Sequence, residues 1–410
     1  MDEIPEGWKE EKLGLLLKTT SGGTPSRSIK SYYNGNIPWL KSGELNDNVH
    51  ILDSEEHITQ EALENSSAKL FPANTVLIAM YGATTGKIGI IKFPCSTNQA
   101  ICGILPNTNF ISEFIYYFLL FKRQYLIELG KGGAQPNISQ TVIKSMDFPK
   151  IPKEEQKVIT REIEKQFSRL DEAIKSLKST KDKLQAYRKS ILKAAFEGKI
   201  IDTKFEKQTI KQISKSIIYG TSKKAKKTGK IPVLRMGNLQ NGKIDYSRLK
   251  FFDGGLDIEK LVLEKEDILF NRTNSSELVG KTSIYNGNSQ YHKVTFASYL
   301  IRIRVDKQLI IPKYLNYWLN SPQAAMIKDK LKSQQVGQAN INGTKLKNIN
   351  FPYVEDLEIQ EQIVQEIESS FSVIDKLEET VYQSLEKTEK LRKSILKSAF
   401  EGKLVRYEEN

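Results

Sequence analysis

Twelve residues near the middle of the chain, R-K-S-I-L-K-A-A-F-E-G-K at 188–199, return at 392–403 as R-K-S-I-L-K-S-A-F-E-G-K, with one substitution. A return at an offset of 204 in a chain of 410 residues constrains the fold to two copies of one plan. Carried backwards, the same offset pairs Gln156 with Gln360, Ile159 with Ile363, Ile163 with Ile367, Phe167 with Phe371 and Asp171 with Asp375. The repeated element is therefore a long helix and not a short motif.

Apolar residues at Ile163, Phe167, Leu170, Ile174, Leu177, Leu184, Ile191 and Ala195 step by threes and fours, the period of a helical seam. Ile367, Phe371, Ile374, Val381, Leu385, Ile395 and Ala399 do the same. Each helix follows an F-P pair, Phe148-Pro149 or Phe351-Pro352, and stops at a glycine, Gly198 or Gly402, the residue that tolerates a left-handed helix stop. Each is then roughly 45 residues, about 65 Å at 1.5 Å per residue. A helix of that length with one apolar face is unstable alone in water, so the two are expected to pack on each other; two separate homodimeric coiled coils are the alternative. Lys181, which matches Leu385 by offset, is one of the polar gaps that keep the seam from being a perfect zipper.

A weaker echo precedes the helices. I-P-W-L-K-S-G-E-L at 37–45 matches I-P-V-L-R-M-G-N-L at 231–239, and in each copy a strand-like apolar run ending in Gly-Lys follows, from Thr75 and from Asp267. Q-P-N-I-S at 135–139 matches Q-A-N-I-N at 338–342. Core spacing is kept while most other residues differ, as expected of one scaffold carrying two different surfaces. The expected organisation is a mixed α/β globular domain at 1–150, a helix at 151–200, a second globular domain at 201–350 and a second helix at 351–410.

The length is ample for two cores, and 39% hydrophobic residues suit a globular protein. There is no apolar run of about 18 residues and no charged-then-apolar leader, so a cytoplasmic chain without a membrane span is expected. Cys95 and Cys102 are the only cysteines, and His50, His57 and His292 are scattered, so no ligand set has zinc spacing. The two thiols are read as a buried pair in a strand region, and no metal or other cofactor is expected.

The net charge of +13 is unevenly spread. Residues 1–150 hold 14 Lys and Arg against 15 Asp and Glu, whereas residues 201–350 hold 27 against 12. Residues 151–200 hold 13 against 8, and 351–410 hold 8 against 14, opposite signs that suit paired helices. The second globular domain is thus the polyanion binder, and the first needs a local basic patch or a helper subunit to hold phosphates.

Y-G-T-S-K-K-A-K-K-T-G-K at 219–230 packs five lysines into a glycine-bounded loop, where Lys223, Lys224, Lys226 and Lys227 are candidate phosphate contacts. A solvated, disordered lysine loop is the alternative. The matching place in the first domain offers Arg27, Lys30, Tyr32 and Tyr33. Base reading needs side chains with planar or amide donors and acceptors. Lys41, Ser42, Gln135 and Asn137 are the first domain's candidates, and Arg235, Arg272, Asn274, Gln338 and Asn340 the second's. The competing reading of each is a turn or a backbone cap.

S-S-E-L-V-G-K-T at 275–282 has the look of a nucleotide phosphate loop, but Ser275 stands where the first glycine must let the backbone curl. Because Gly-Lys recurs at Gly86-Lys87 in the other copy, the pair is read as a structural turn. There is no Asn/Asp-Pro-Pro-aromatic run, no glycine-rich dinucleotide loop and no nucleophile with a histidine base, so the chain is expected to catalyse nothing. Acidic loop residues such as Glu44 and Asp47 are read as solvated.

Two variable globular domains, each followed by a helix ending in R-K-S-I-L-K-[AS]-A-F-E-G-K, resemble the specificity subunit of type I restriction-modification enzymes over essentially the whole chain. Residues 22–45 and 268–285 also look like parts of its target recognition domains. The resemblance implies a non-catalytic subunit whose 1–150 and 201–350 domains each read one half of a split double-stranded DNA target. It implies antiparallel helices, packed as a coiled coil with pseudo-twofold symmetry, that act as a ruler for the unread spacer. Two adenine methyltransferase subunits, and in a full complex restriction subunits, are the implied partners. A coiled-coil assembly scaffold whose globular domains bind protein is the rival reading, and a nucleotide hydrolase using residues 275–282 a third.

Overall fold

The two apolar runs that end in Gly-Lys fold into hairpins, and the same pair of backbone hydrogen bonds closes each. Ala79 N–H donates to Lys87 O (2.9 Å) and Gly86 N–H returns to Ala79 O (2.8 Å). In the second copy Asn271 N–H donates to Lys281 O (2.9 Å) and Gly280 N–H to Asn271 O (2.8 Å). A strand follows each Gly-Lys, Ile88–Ile91 or Thr282–Ile284, where a phosphate loop would need the N-terminus of a helix. The strands before them, Val76–Ala79 and Ile268–Asn271, are buried at every residue, all apolar except Asn271.

The computed structural model describes residues 5, 7–130, 137–240, 242–335 and 338–405. It divides into two compact units, Met1–Leu177 with Gln383–Asn410, and Lys178–Tyr382. The two long helices, Lys153–Ala195 and Leu357–Phe400, are 43 and 44 residues long, and each contributes to both units. Gly198 and Gly402 follow them with φ of 73° and 69°, the left-handed stop that a side chain would strain.

In the first unit a five-stranded sheet runs in the order Thr19–Ser21, Ile101–Ile104, Val76–Ala79, Ile88–Ile91, Asn48–Ile51. The helix Ser112–Leu129 joins its core through Phe114, Tyr117 and Phe118. Ile163 and Phe167 of the first long helix and Ile395, Ala399 and Phe400 of the second belong to that same core, with Leu170 packed at its edge. Arg392 lies over the Phe167 ring (4.8 Å) and pairs with Asp171. A smaller sheet places Tyr33–Leu40 between Glu56–Ile58 and Cys95–Thr97, the last paired in parallel. Cys95 and Cys102 are free and buried in strands, and burial pushes both thiols up to about 12.

The second unit repeats these relations with other side chains. Its four-stranded sheet runs Ser214–Tyr219, Leu300–Val305, Ile268–Asn271, Thr282–Ile284. Ile231–Leu234 lies between Lys250–Phe252 and, again in parallel, Thr295–Phe296. Arg188 lies over the Phe371 ring (4.9 Å), pairs with Asp375 and reaches Glu378 at 2.9 Å. Since Gln185 also bonds Glu378, the two helices run in opposite directions there. Leu184, Ile191, Ile374 and Val381 are buried in this unit, while Ile174, Leu177 and Leu385, which belong to the first, are partly covered.

A buried glutamine fixes the start of each long helix. Gln156 accepts from Ile111 N–H (3.0 Å) and donates to Asn109 O (2.9 Å) and Ile151 O (3.0 Å). Gln360 accepts from Ile311 N–H (2.8 Å) and donates to Leu309 O (3.1 Å) and Val354 O (2.7 Å). Replacing Gln156 by Ala strands these backbone groups away from water, so chemical denaturation should show a loss of roughly 2–5 kcal/mol.

Lys328 is buried and donates to Gly280 O (2.7 Å) and Leu319 O (2.6 Å). Burial, with nearby Lys332 adding to it, brings its ammonium down from 10.5 to about 8. Between those values the unfolded chain holds the proton more tightly, so this group's contribution to stability rises with pH from about 8 to 10.5 and is flat outside that window. Denaturant midpoints across the window should therefore climb less in Lys328→Met than in the unsubstituted chain.

Candidate nucleic-acid interface

In the second unit the strand Ile231–Leu234 brings its two neighbours, and the loops that follow them, around one cleft of about 660 Å³. Its wall carries Lys223, Lys224, Arg235, Lys250 and Arg272, with Thr273, Ser298, Tyr299 and Asn340 between them. No carboxylate lines it among the described residues. Lys223 is offset by Asp257, and the other four cations in this concave wall focus a positive potential suited to a polyanion.

The lysine loop is held in place by its backbone. Lys226 exchanges two hydrogen bonds with Phe251 (2.9 and 3.0 Å), and Thr221 N–H donates to Phe296 O (3.1 Å). The loop starts at Gly220, where a Cβ would sit 2.4 Å from the carbonyl oxygens of Phe296 and Ala297; Gly22 makes the matching approach to Thr97 O in the first unit. Lys223 pairs with Asp257 (2.6 Å) and Lys226 with Asp253 (2.5 Å), while Lys227 is exposed. Asn274 and Gln338 lie in the paired strands Thr273–Asn274 and Gln338–Asn340 and do not line the cleft. Lys250 and Tyr299, not singled out in the sequence, do.

The two arginines are mounted alike. Arg235 Nη2 donates to Arg248 O (3.1 Å) and Arg272 Nη1 to Ser298 O (3.3 Å), and Arg272 also lies over the Tyr219 ring at 5.0 Å. Arg235 caps a short turn, Met236–Asn238, its N–H donating to Asn238 Oδ1 (2.9 Å).

The first unit builds the same turn, Ser42–Glu44, with Lys41 N–H donating to Glu44 Oε1 (2.8 Å). Its charged groups are occupied otherwise. Lys41 Nζ reaches Glu55 and Glu56, both at 3.0 Å, and Arg27 pairs with Glu56 at 2.7 Å while lying over Tyr33 and Trp39. The Arg27 hydrogen bond holds the Glu56 carboxyl below its usual range. Tyr32 is buried with Trp39 and Ile58, so its ring belongs to the core and not to a contact surface. Lys30 and Asn137 are exposed, Ser42 is partly so, and Gln135 lies outside the described residues. Nor is Asp47 solvated as expected: Lys87 (2.7 Å) and Arg123 hold it.

The family model for the type I restriction modification DNA specificity domain matches residues 5–186 and 203–387. The chain belongs to that family. As a specificity-family member, its non-catalytic character follows from kinship. The specificity subunit of the type I restriction enzyme EcoKI of Escherichia coli K12 is 25% identical, over 98% of this chain and 90% of its own. That of MjaIX from Methanocaldococcus jannaschii is 32% identical over 38% of each. A solved chain described for assembly and conformational transition of the type I R-M system superposes with TM-score 0.75 at 16% identity, covering 98% of this chain and 99% of that one. The HsdS subunit from Thermoanaerobacter tengcongensis gives 0.56 at 17%, covering 98% of both. Among the described residues of this specificity-family chain, no helix is long and apolar enough to cross a membrane, and no group of His, Cys, Asp and Glu could hold a metal.

Replacing Lys224 and Lys250 by Ala should weaken duplex binding across all sequences. In a salt titration the slope of log affinity should become shallower by roughly one per lysine that meets a phosphate.

Proposed function

We propose that this chain reads an asymmetric, two-part DNA target for a type I restriction-modification complex in the cytoplasm. Residues 1–150 and 201–350 serve as its target recognition domains and 151–200 and 351–410 as helical spacer segments. Two adenine methyltransferase subunits dock on it, with restriction subunits joining them in a full complex. The observation that carries this reading is the cleft where Lys224, Arg235, Lys250 and Arg272 converge, with no carboxylate among the described residues that line it.

Lysines there serve as point charges for phosphates, while arginines present planar donors to base edges. In the other unit Arg27 and Lys41 are already bound by carboxylates, so among the described candidates Lys30, Ser42 and Asn137 remain as its polar contacts. Surfaces this different read different half-sites.

Co-expression with an adenine methyltransferase subunit, followed by single-molecule mapping of methylated adenines, tests the reading. One split motif with a fixed spacer, absent without this chain, is the expected result. Four residues inserted at Ser179, about one helical turn or 6 Å, should lengthen that spacer by one or two base pairs. A soluble complex that methylates no shared sequence favours the scaffold reading, and an unchanged spacer removes the helical ruler.

A further inference from the structure

Resting on the DNA-reading role above, we infer that the second unit's half-site contains guanine, read by Arg235 and Arg272. The cleft supplies the kind of donor that guanine requires. In the major groove guanine offers two acceptors, O6 and N7, whose spacing matches two N–H groups of one guanidinium. A guanidinium acts this way only if it is free of carboxylates and held in a fixed plane, since a mobile or neutralised one loses the geometry.

Both arginines meet those conditions. Each has one terminal nitrogen donating to a backbone carbonyl, Arg248 O or Ser298 O, and neither has a carboxylate partner among the described residues. Each is partly exposed and lines the cleft, while its Nε is buried without a hydrogen-bond partner. The Tyr219 ring beneath Arg272 fixes its plane further. Arg235 rises from a turn locked by Asn238, which itself donates to Asp245 O at 2.8 Å.

The alternatives on the same wall are less suited. Adenine is read by an amide presenting both N–H and C=O. The cleft's amide among the described residues, Asn340, already directs its Nδ2 to Thr273 Oγ1 at 2.8 Å. Lys224 and Lys250 carry compact charges on flexible stems, the chemistry of phosphate contact. At the position of Arg235 the first unit has Lys41, clasped by Glu55 and Glu56, so this assignment does not extend to its half-site.

The test uses the full chain with its methyltransferase subunits. With the wild-type complex, 7-deazaguanine, which lacks the N7 acceptor, is placed at each guanine of the mapped target in turn. Binding should fall at one or two positions within one half-site. Adenine mapping with Arg235→Gln and Arg272→Gln should then degrade the preference for guanine at those positions by roughly 5- to 150-fold and turn it toward adenine, while Lys224→Ala lowers methylation of all sites alike. No sensitive 7-deazaguanine, or a uniform loss with both glutamine variants, overturns the guanine assignment. That half-site containing no G·C pair overturns it as well. Absence of any motif in the wild type is a different result, because it removes the DNA-reading role itself.

Discussion

Each long helix carries in its first turn a glutamine with no access to water, and the three hydrogen bonds that each amide makes tie that turn to the chain before it. Gln156 ties the chain entering the Ser112–Leu129 helix to the strand end at Ile151; Gln360 ties Ile311 and Leu309 to Val354. An amide serves here because it donates and accepts at once, whereas a carboxylate only accepts. With the start fixed, helical periodicity places every later side chain. Phe167 reaches the first unit's core, Asp171 meets Arg392, and in the other unit Phe371 and Asp375 meet Arg188.

Within this shared frame the two units differ at the charged tips of equivalent turns. Lys41 and Arg235 both precede a short turn closed by the side chain three residues on. One is clasped by two glutamates, and the other is held by a carbonyl and keeps its charge for a ligand. A half-buried ion pair must be broken before its cation can be used, and that costs what the pair gained on forming.

Much of the scaffold was legible because its signals are local or repeated. Helix starts and stops, the Gly-Lys hairpins and the matched I-P-x-L strands all follow from short patterns seen twice. Arg235 and Arg272 were legible as planar donors in loops near strand ends, and both line the cleft. Lys250 was not, because it reaches the cleft through strand pairing, Val233 opposite Lys250, and a pairing register leaves no mark in either segment alone. Tyr32 misled because an aromatic beside basic residues reads as a stacking surface, and only the packing against Trp39 and Ile58 shows the ring to be core. The neutralising pair Glu55-Glu56 likewise lies about thirty residues from Arg27, too far for spacing to reveal.

The carboxylates that clasp Arg27 and Lys41 make the molecule's attraction for DNA lopsided. On the proposed DNA-reading role, long-range capture belongs to the second unit, where Lys224, Arg235, Lys250 and Arg272 have no carboxylate partner among the described residues, so a duplex arriving by diffusion is steered there first. In the first unit Glu55 and Glu56 already neutralise Arg27 and Lys41, so on the proposed DNA-reading role its share of the attraction acts only at short range. On that role grip and scrutiny are divided between two halves of a single chain, and raised ionic strength should loosen the first far more than the second.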